Sequence, residues 1–141
     1  MVICGLSVLC GLLFNLSNPS GLTLTPESWS GEALTWITPE DAKALLDADK
    51  AVIVDARPEY FFEEGHIEKA LNIPMAIFDI AYIMGLSKVP PEKTIVVYGR
   101  TISRLYDDSV ARQLILRGHT DVKLLKGGLS AWKKKGYAVS S

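Results

Sequence analysis

The sequence predicts an α/β domain in which helices cover both faces of a parallel β-sheet. Short apolar runs, rich in β-branched or aromatic residues, occur at 51–54 and 95–98, and a further strand is predicted at 121–125. Such runs are typical of strands that are buried on both faces. Stretches with helical apolar spacing separate these runs. Because strands alternate with helices, we expect parallel strands joined by crossover connections, and the chain length allows one such domain.

The composition excludes two broad classes of protein. Hydrophobic residues make up 48% of the 141 residues and the formal net charge is −1, which excludes an intrinsically disordered chain. No basic run and no stripe of Lys and Arg is present, so we expect no nucleic-acid partner. Cys4 and Cys10 are the only cysteines, and their spacing indicates neither a disulfide nor a metal pair.

The N-terminal segment 1–16 is almost entirely apolar and is predicted to form a helix. Sixteen helical residues would span about 24 Å, slightly less than the ~30 Å hydrocarbon core of a bilayer. We predict a membrane anchor, with a signal peptide and a buried core helix as alternatives. No Lys or Arg precedes the segment, and no good small-x-small cleavage site follows it. The protein is therefore expected to be membrane-anchored or exported.

A predicted linker separates this segment from the folded domain. Residues 17–33 are rich in Ser, Pro and Gly, so the domain is assigned to residues 34–141. Trp36–Ile37 is predicted to be a short edge strand. A strong helix start follows, with Thr38 as the N-cap and Pro39 at the first helical position.

The middle of the domain contains an unusually apolar segment. A short helical turn is predicted at 59–63, and 70–74 is predicted to be a short strand that a proline stops. Met75–Met84 is apolar nearly all round, with Asp79 as its only charge. A helix of this composition is either buried or offers an apolar face to a partner, and we expect burial.

The loop after the run 95–98 is the predicted functional region. In α/β proteins, chemistry concentrates where a central parallel strand leads to a helix N-terminus. Asp107 or Asp108 is predicted to cap the following helix, which continues to Ile115. His119 is expected to lie exposed in the turn after that helix.

Five separated motifs are Val54–Arg57, Glu63–Ile67, Ala70–Pro74, Val96–Tyr98, and Leu125–Gly128 followed by Ala131–Trp132. In order and spacing they resemble the rhodanese homology domain over about residues 35–139. The resemblance implies a five-stranded parallel α/β domain whose catalytic members move a sulfane sulfur through a cysteine persulfide. The N-terminal run also resembles that of bacterial rhodanese-like proteins with a membrane anchor, which implies a bacterial cell envelope.

Glycine occupies the position of the family's nucleophile. The resemblance places the catalytic cysteine directly after the Tyr of the central strand, and here Gly99 follows Tyr98. A persulfide requires a thiolate, and glycine has no side chain. The hydroxyls of Thr101 and Ser103 ionise far above neutral pH and have no nearby base in the sequence. We therefore expect no catalytic residue in this loop.

The remaining loop is a candidate anion-binding site. Two arginines precede a helix N-terminus, whose free N–H groups and partial positive charge attract anions. The alternative is a solvated loop with exposed arginines and an acid cap. The candidate residues are Gly99, Arg100, Thr101, Ile102, Ser103 and Arg104.

Three further residues match family positions near the loop and are expected to be structural. In this interpretation Asp55 accepts hydrogen bonds at the strand end, Arg57 pairs with a carboxylate, and the His66 ring bonds to the backbone. The chain has 2 histidines and no acid cluster with metal-ligand spacing. We expect no metal and no cofactor.

Three functions are compatible with these residues. The first is a non-catalytic rhodanese-like domain, tethered to a membrane through residues 1–16, that binds a protein partner or a small anion. The second is a sulfurtransferase whose sulfur is carried by Cys4, Cys10 or a partner's cysteine. The third is a structural interaction module of a membrane complex, with Met75–Met84 or the N-terminal segment as its interface.

Overall fold

The structure, a computed structural model, describes Phe14, residues 34–101 and residues 103–141. The predicted anchor segment apart from Phe14, the predicted linker and Ile102 lie outside the described residues. Phe14 is helical and its side chain is exposed. Within the described ranges, no helix is both long enough and apolar enough to cross a membrane.

The described residues form seven strands, β1 (Thr35–Ile37), β2 (Ala51–Asp55), β3 (His66–Ile67), β4 (Leu71–Asn72), β5 (Thr94–Tyr98), β6 (Val122–Leu125) and β7 (Val139–Ser140). Five of them build one parallel sheet in the order β1-β6-β5-β2-β4. The other two, β3 and β7, form a small antiparallel pair that the sequence did not predict. The five-stranded parallel sheet is confirmed.

Helices cover both faces of this sheet, as predicted. They are α1 (Pro39–Asp47), α2 (Glu59–Glu64), α3 (Phe78–Gly85), α4 (Tyr106–Leu116) and α5 (Gly128–Lys134), with a 3-10 turn at Met75–Ile77 before α3. One core cluster joins the sheet to α3 and α4 through Phe78, Val110 and Leu114. The other joins it to α1 and α5 through Ala42 and Trp132.

Strand β5 lies at the centre of the sheet, and all of its residues are buried. Its register with β2 places Tyr98 beside Asp55 at the ends of the two strands. Because the strands are parallel, their carboxyl ends meet at one edge of the sheet. The loop predicted to be functional begins at this edge.

Helix α1 begins at its predicted cap, whereas α4 does not. The Thr38 hydroxyl accepts a hydrogen bond from the backbone N–H of Asp41 at 3.2 Å. Helix α4 instead follows Leu105, whose side chain cannot cap, and both predicted caps lie inside its first turn. The Asp107 prediction is wrong because the carboxylate is buried and bonds to Asp108 N–H and Arg100. Asp108 pairs with an arginine one turn later in α4.

The expected burial of Met75–Met84 is wrong. Phe78 is the only buried residue of the 3-10 turn and α3. Ile80, Ile83 and Met84 are 63%, 64% and 84% exposed. The segment lies on the surface of the domain, so only one side of it reaches the sheet, and an all-round apolar composition cannot indicate which side that is.

His119 is buried, contrary to the prediction of an exposed turn. Only 4% of the residue is exposed. Its Nε2 lies 3.1 Å from the Tyr82 hydroxyl, and the two rings meet edge to face. Its buried Nδ1 has no hydrogen-bond partner among the described residues. The turn after α4 therefore carries the ring inward onto α3 instead of into solvent.

This burial predicts a pH-dependent stability. Removal from water lowers the pKa of His119, so the folded protein disfavours the protonated ring. The pKa of a histidine in an unfolded chain is about 6.5. The free energy of unfolding should therefore fall as the pH drops below this value towards the folded pKa. Urea unfolding measured between about pH 5 and 8 should show this fall in the free energy of unfolding at the acidic end. A His119→Gln variant should lack it, and equal pH slopes in the two proteins would contradict the prediction.

Candidate functional site

A buried ion pair lies at the carboxyl end of β2. Asp55 is fully buried and accepts hydrogen bonds from Arg57 backbone N–H at 2.9 Å, Nε at 3.0 Å and Nη2 at 2.6 Å. Burial opposes the charge on the guanidinium, but the hydrogen bonds and charge of Asp55 raise the pKa of Arg57. Arg57 Nη2 also donates to the Gly65 carbonyl at 2.8 Å. The pair thus fixes the end of β2 to the end of α2.

His66 and Tyr98, at the same edge of the sheet, also form hydrogen bonds with the backbone. His66 Nδ1 lies 2.8 Å from the Phe62 carbonyl, and its ring stacks on the Phe62 ring. The Tyr98 hydroxyl accepts a hydrogen bond from Ile67 N–H at 3.0 Å, and burial raises the pKa of that hydroxyl. The contacts expected for Asp55, Arg57 and His66 are therefore present. That their role is only structural remains a prediction.

The sequence did not single out Asn72 as a site residue. Its amide nitrogen donates to the carbonyls of Asp55 at 3.2 Å and Arg57 at 2.8 Å. A polar residue inside the predicted short strand 70–74 was the available signal. The bonds hold the β2–α2 connection against β4.

Gly99 directly follows β5 and adopts a φ of +143°, a conformation that L side chains rarely adopt. A Cβ built on Gly99 would lie 3.2 Å from the Ala56 Cβ and 3.2 Å from the Arg57 backbone nitrogen. The backbone at this position therefore lies close against the β2–α2 connection. A side chain placed here meets both backbone strain and crowding.

The loop after Gly99 closes on itself. Arg100 and Leu105 form an isolated antiparallel bridge. Between them, Thr101 N–H donates to the Arg104 carbonyl at 2.9 Å, and Arg104 N–H donates to the Thr101 hydroxyl at 3.0 Å. Ser103 is exposed. These N–H groups point to partners inside the loop and not to a ligand.

An internal carboxylate lies at the N-terminus of α4. Asp107 is 1% exposed; its Oδ1 accepts from Asp108 N–H at 2.9 Å, and its Oδ2 lies 3.3 Å from Arg100 Nε. The Arg100 guanidinium also lies over the Trp36 ring, 4.9 Å from its centroid. One of the two predicted anion-binding arginines is thus paired within the chain. Arg104 is exposed and has no ion pair with any other described residue. Anion binding at this loop remains a prediction.

An apolar pocket of about 240 Å³ opens beside the loop. A wider groove adjoins it and is lined by the loop residues Ser103 and Arg104. Within the described ranges, no cluster of three or more His, Cys, Asp or Glu residues is placed to hold a metal ion. The edge therefore provides apolar surface and one unpaired arginine, but no sulfur nucleophile in the part described. The pocket is lined by Ala56, Pro58, Glu59, Pro74, Met75, Ala76, Ile77 and Tyr106.

The fold and the position of this loop define an α/β domain whose candidate site lies at the carboxyl ends of its parallel strands. A family model described as "Rhodanese-like domain" matches residues 38–135, and the chain belongs to this family.

Curated relatives carry sulfurtransferase names. A sulfurtransferase from Allochromatium vinosum is 29% identical over 98 residues, covering 70% of this chain and 86% of the relative. The thiosulfate sulfurtransferase GlpE from Coxiella burnetii is 33% identical over 93 residues, covering 66% of this chain and 81% of the relative.

Solved structures share the fold. The Alr3790 protein from Anabaena matches with a TM-score of 0.64 and 25% identity, covering 74% of this chain and 91% of that one. A thiosulfate sulfurtransferase from Pseudomonas aeruginosa matches with a TM-score of 0.65 and 29% identity. That match covers 75% of this chain but 20% of the Pseudomonas chain.

Proposed function

We propose that this chain is a non-catalytic rhodanese-like domain that binds a protein partner or a small anion. In this proposal it is tethered to a membrane of the bacterial cell envelope through residues 1–16. The observation that carries the loss of catalysis is the backbone of Gly99. The position after the central strand has no sulfur, and its conformation and close contacts disfavour any side chain.

The rest of the loop supports the same proposal. Sulfane transfer needs a thiolate as nucleophile and positive surroundings that stabilise it. Here the N–H groups of Thr101, Arg104 and Asp108 are bonded within the chain. Arg100 is paired with the buried Asp107. A sulfur brought to this loop would find these donors already engaged.

Between the two ligand classes, the geometry favours a protein partner over a small anion. Asp107 already places a carboxylate at the N-terminus of α4, where an anion was predicted to bind. The neighbouring surface is instead apolar, with a pocket lined by Met75, Ile77 and Tyr106. Apolar surface with an exposed arginine at its edge suits a polypeptide better than a free anion.

The second candidate function is sulfur transfer with a cysteine from elsewhere. The curated relatives named sulfurtransferase and thiosulfate sulfurtransferase favour it. In this chain it would require Cys4, Cys10 or the thiol of another protein to carry the sulfur.

Thiosulfate:cyanide transfer by the full chain in detergent separates the first candidate from sulfur transfer through Cys4 or Cys10. We expect no rate above that of a Cys4→Ala/Cys10→Ala double variant, because no thiolate lies in the loop. Mass spectrometry after incubation with thiosulfate should likewise show no added sulfur atom. A rate or a persulfide that disappears in the double variant would contradict the proposal and support the second candidate.

A further inference from the structure

The most exposed apolar surface of the described residues lies along the 3-10 turn and α3. This α3 face consists of Met75, Ile77, Ile80, Ile83 and Met84, which are 41%, 50%, 63%, 64% and 84% exposed. Together they expose roughly 600 Å² of apolar surface, the upper end of what a monomer usually presents in one patch. A surface of this size is typical of an interaction site.

The two ends of the α3 face differ in shape. At its N-terminal end, Met75, Ile77 and Ile80 line an open groove whose other wall is Gln113 of α4. At its C-terminal end, Ile83 and Met84 stand out into solvent. From Ile77 to the ridge is six to seven residues, which corresponds to about 10 Å along a helix. Ile80, the groove residue nearest the ridge, lies near the middle of the face.

From this shape we infer that the α3 face binds the α3 face of a second copy of this chain, in a two-fold symmetric dimer. A two-fold axis near Ile80 places the Ile83–Met84 ridge of each copy in the groove of the other. In a two-fold symmetric interface every contact occurs twice, so a face that carries both a groove and a ridge is complementary to itself. The helices of the two copies are antiparallel in this arrangement.

The area and the chemistry fit a second copy. Two faces of roughly 600 Å² bury about 1,200 Å², the lower limit for a specific interface, which indicates a weak dimer. The face is aliphatic and carries one charge, Asp79, which pairs with Arg117 beside it. Homodimer interfaces are the most apolar class, and charges are depleted at their centres. A lipid surface fits less well, because interfacial helices carry Lys and Arg along their own polar border, whereas α3 has none and the neighbouring Arg117 is paired with Asp79.

Site-directed disulfide formation tests the geometry in the full chain in detergent. The variant is Ile80→Cys in the Cys4→Ala/Cys10→Ala background, oxidised with copper phenanthroline. Residues that face a two-fold axis between packed helices come within reach of a disulfide. We expect a covalent dimer. Val139→Cys in the same background is the control, because Val139 is also exposed but lies on β7, which pairs with β3 and follows Ala138, the residue whose carbonyl accepts from Trp132 of the other core cluster. Equal cross-linking of the two variants, or none in Ile80→Cys, would overturn the proposal.

Sedimentation equilibrium of the same full chain in detergent measures the dimer without a cross-link. Ile80→Glu places two like charges at the axis and should weaken dimerisation at least about thirtyfold, the effect of losing a central contact. Val139→Glu should leave it unchanged. If the unsubstituted chain stays monomeric up to about 0.5 mM, a concentration far above the dissociation constants of ordinary weak dimers, the proposal is overturned. A dimer that survives Ile80→Glu would overturn it as well, and would indicate the N-terminal segment as the contact. If the unsubstituted chain is monomeric and binds vesicles, and Ile80→Glu abolishes that binding, the α3 face binds lipid and the dimer proposal fails. These outcomes do not depend on whether the domain transfers sulfur.

Discussion

Replacing Arg57 with alanine should lower the free energy of unfolding by about 3–5 kcal/mol, because it leaves a buried charge without its partner. Asp55 is fully buried, and Arg57 gives it both side-chain hydrogen bonds and charge. The same guanidinium holds the Gly65 carbonyl. Removing it therefore strands a carboxylate at the end of β2 and releases the end of α2.

Urea unfolding at neutral pH measures this loss, and the ion pair between Arg112 and Asp108 is the matched control. Those two side chains are 41% and 32% exposed, so Arg112→Ala should cost no more than about 1 kcal/mol. An Arg57→Lys variant should fall between the two, because it keeps the charge but loses the two-pronged bond to Asp55. If Arg57→Ala and Arg112→Ala lower the free energy of unfolding by similar amounts, the buried pair of Asp55 and Arg57 does not stabilise the domain as argued.

On the proposal of a non-catalytic domain, a Gly99→Cys variant should be inactive in thiosulfate:cyanide transfer, although it introduces the residue type that the family resemblance implies at this position. At the φ of Gly99, the added Cβ would lie 3.2 Å from Ala56 Cβ and 3.2 Å from both Cγ and the backbone nitrogen of Arg57. Two backbone donors of the loop, the N–H groups of Thr101 and Arg104, are also engaged within the chain. We expect a loss of stability of about 1–3 kcal/mol from the strained backbone.

Gly118→Cys is the control for this variant. Gly118 also has a positive φ, +93°, but a Cβ there has open space around it. Both variants therefore carry backbone strain, and the larger loss expected at Gly99 measures the crowding. Thiosulfate turnover by Gly99→Cys, absent from Gly118→Cys, would mean that the loop can still surround a sulfur, and would contradict the argument that the conformation and contacts of Gly99 exclude catalysis.

Much of the fold was predictable because its signals are local. Strands β2 and β5 are continuous β-branched runs, and Thr38–Pro39 is a local helix start. The exposure of α3 was not predictable, because a segment that is apolar on every side does not indicate which side meets the sheet. The burial of His119 depends on Tyr82, which is 37 positions away in the sequence.

The candidate site was predictable only in part, for the same reason. Asp55 and Arg57 are two positions apart, so their pairing could be expected from the motif. The pairing of Arg100 with Asp107 depends on how the loop closes through Arg100 and Leu105. A glycine in a sequence is compatible with almost any φ, so the conformation of Gly99 could not be anticipated.

The carboxylate that the chain places at the N-terminus of α4 has an evolutionary consequence. In the proposed non-catalytic domain, cysteine chemistry at this loop would need a new backbone conformation at Gly99 and the removal of Asp107 from Arg100. Each change alone yields no transferable sulfur, and the first also destabilises the domain, so the benefits do not add step by step. On the proposal of a non-catalytic domain, selection for sulfur transfer at this loop would then find no improving single mutation to retain.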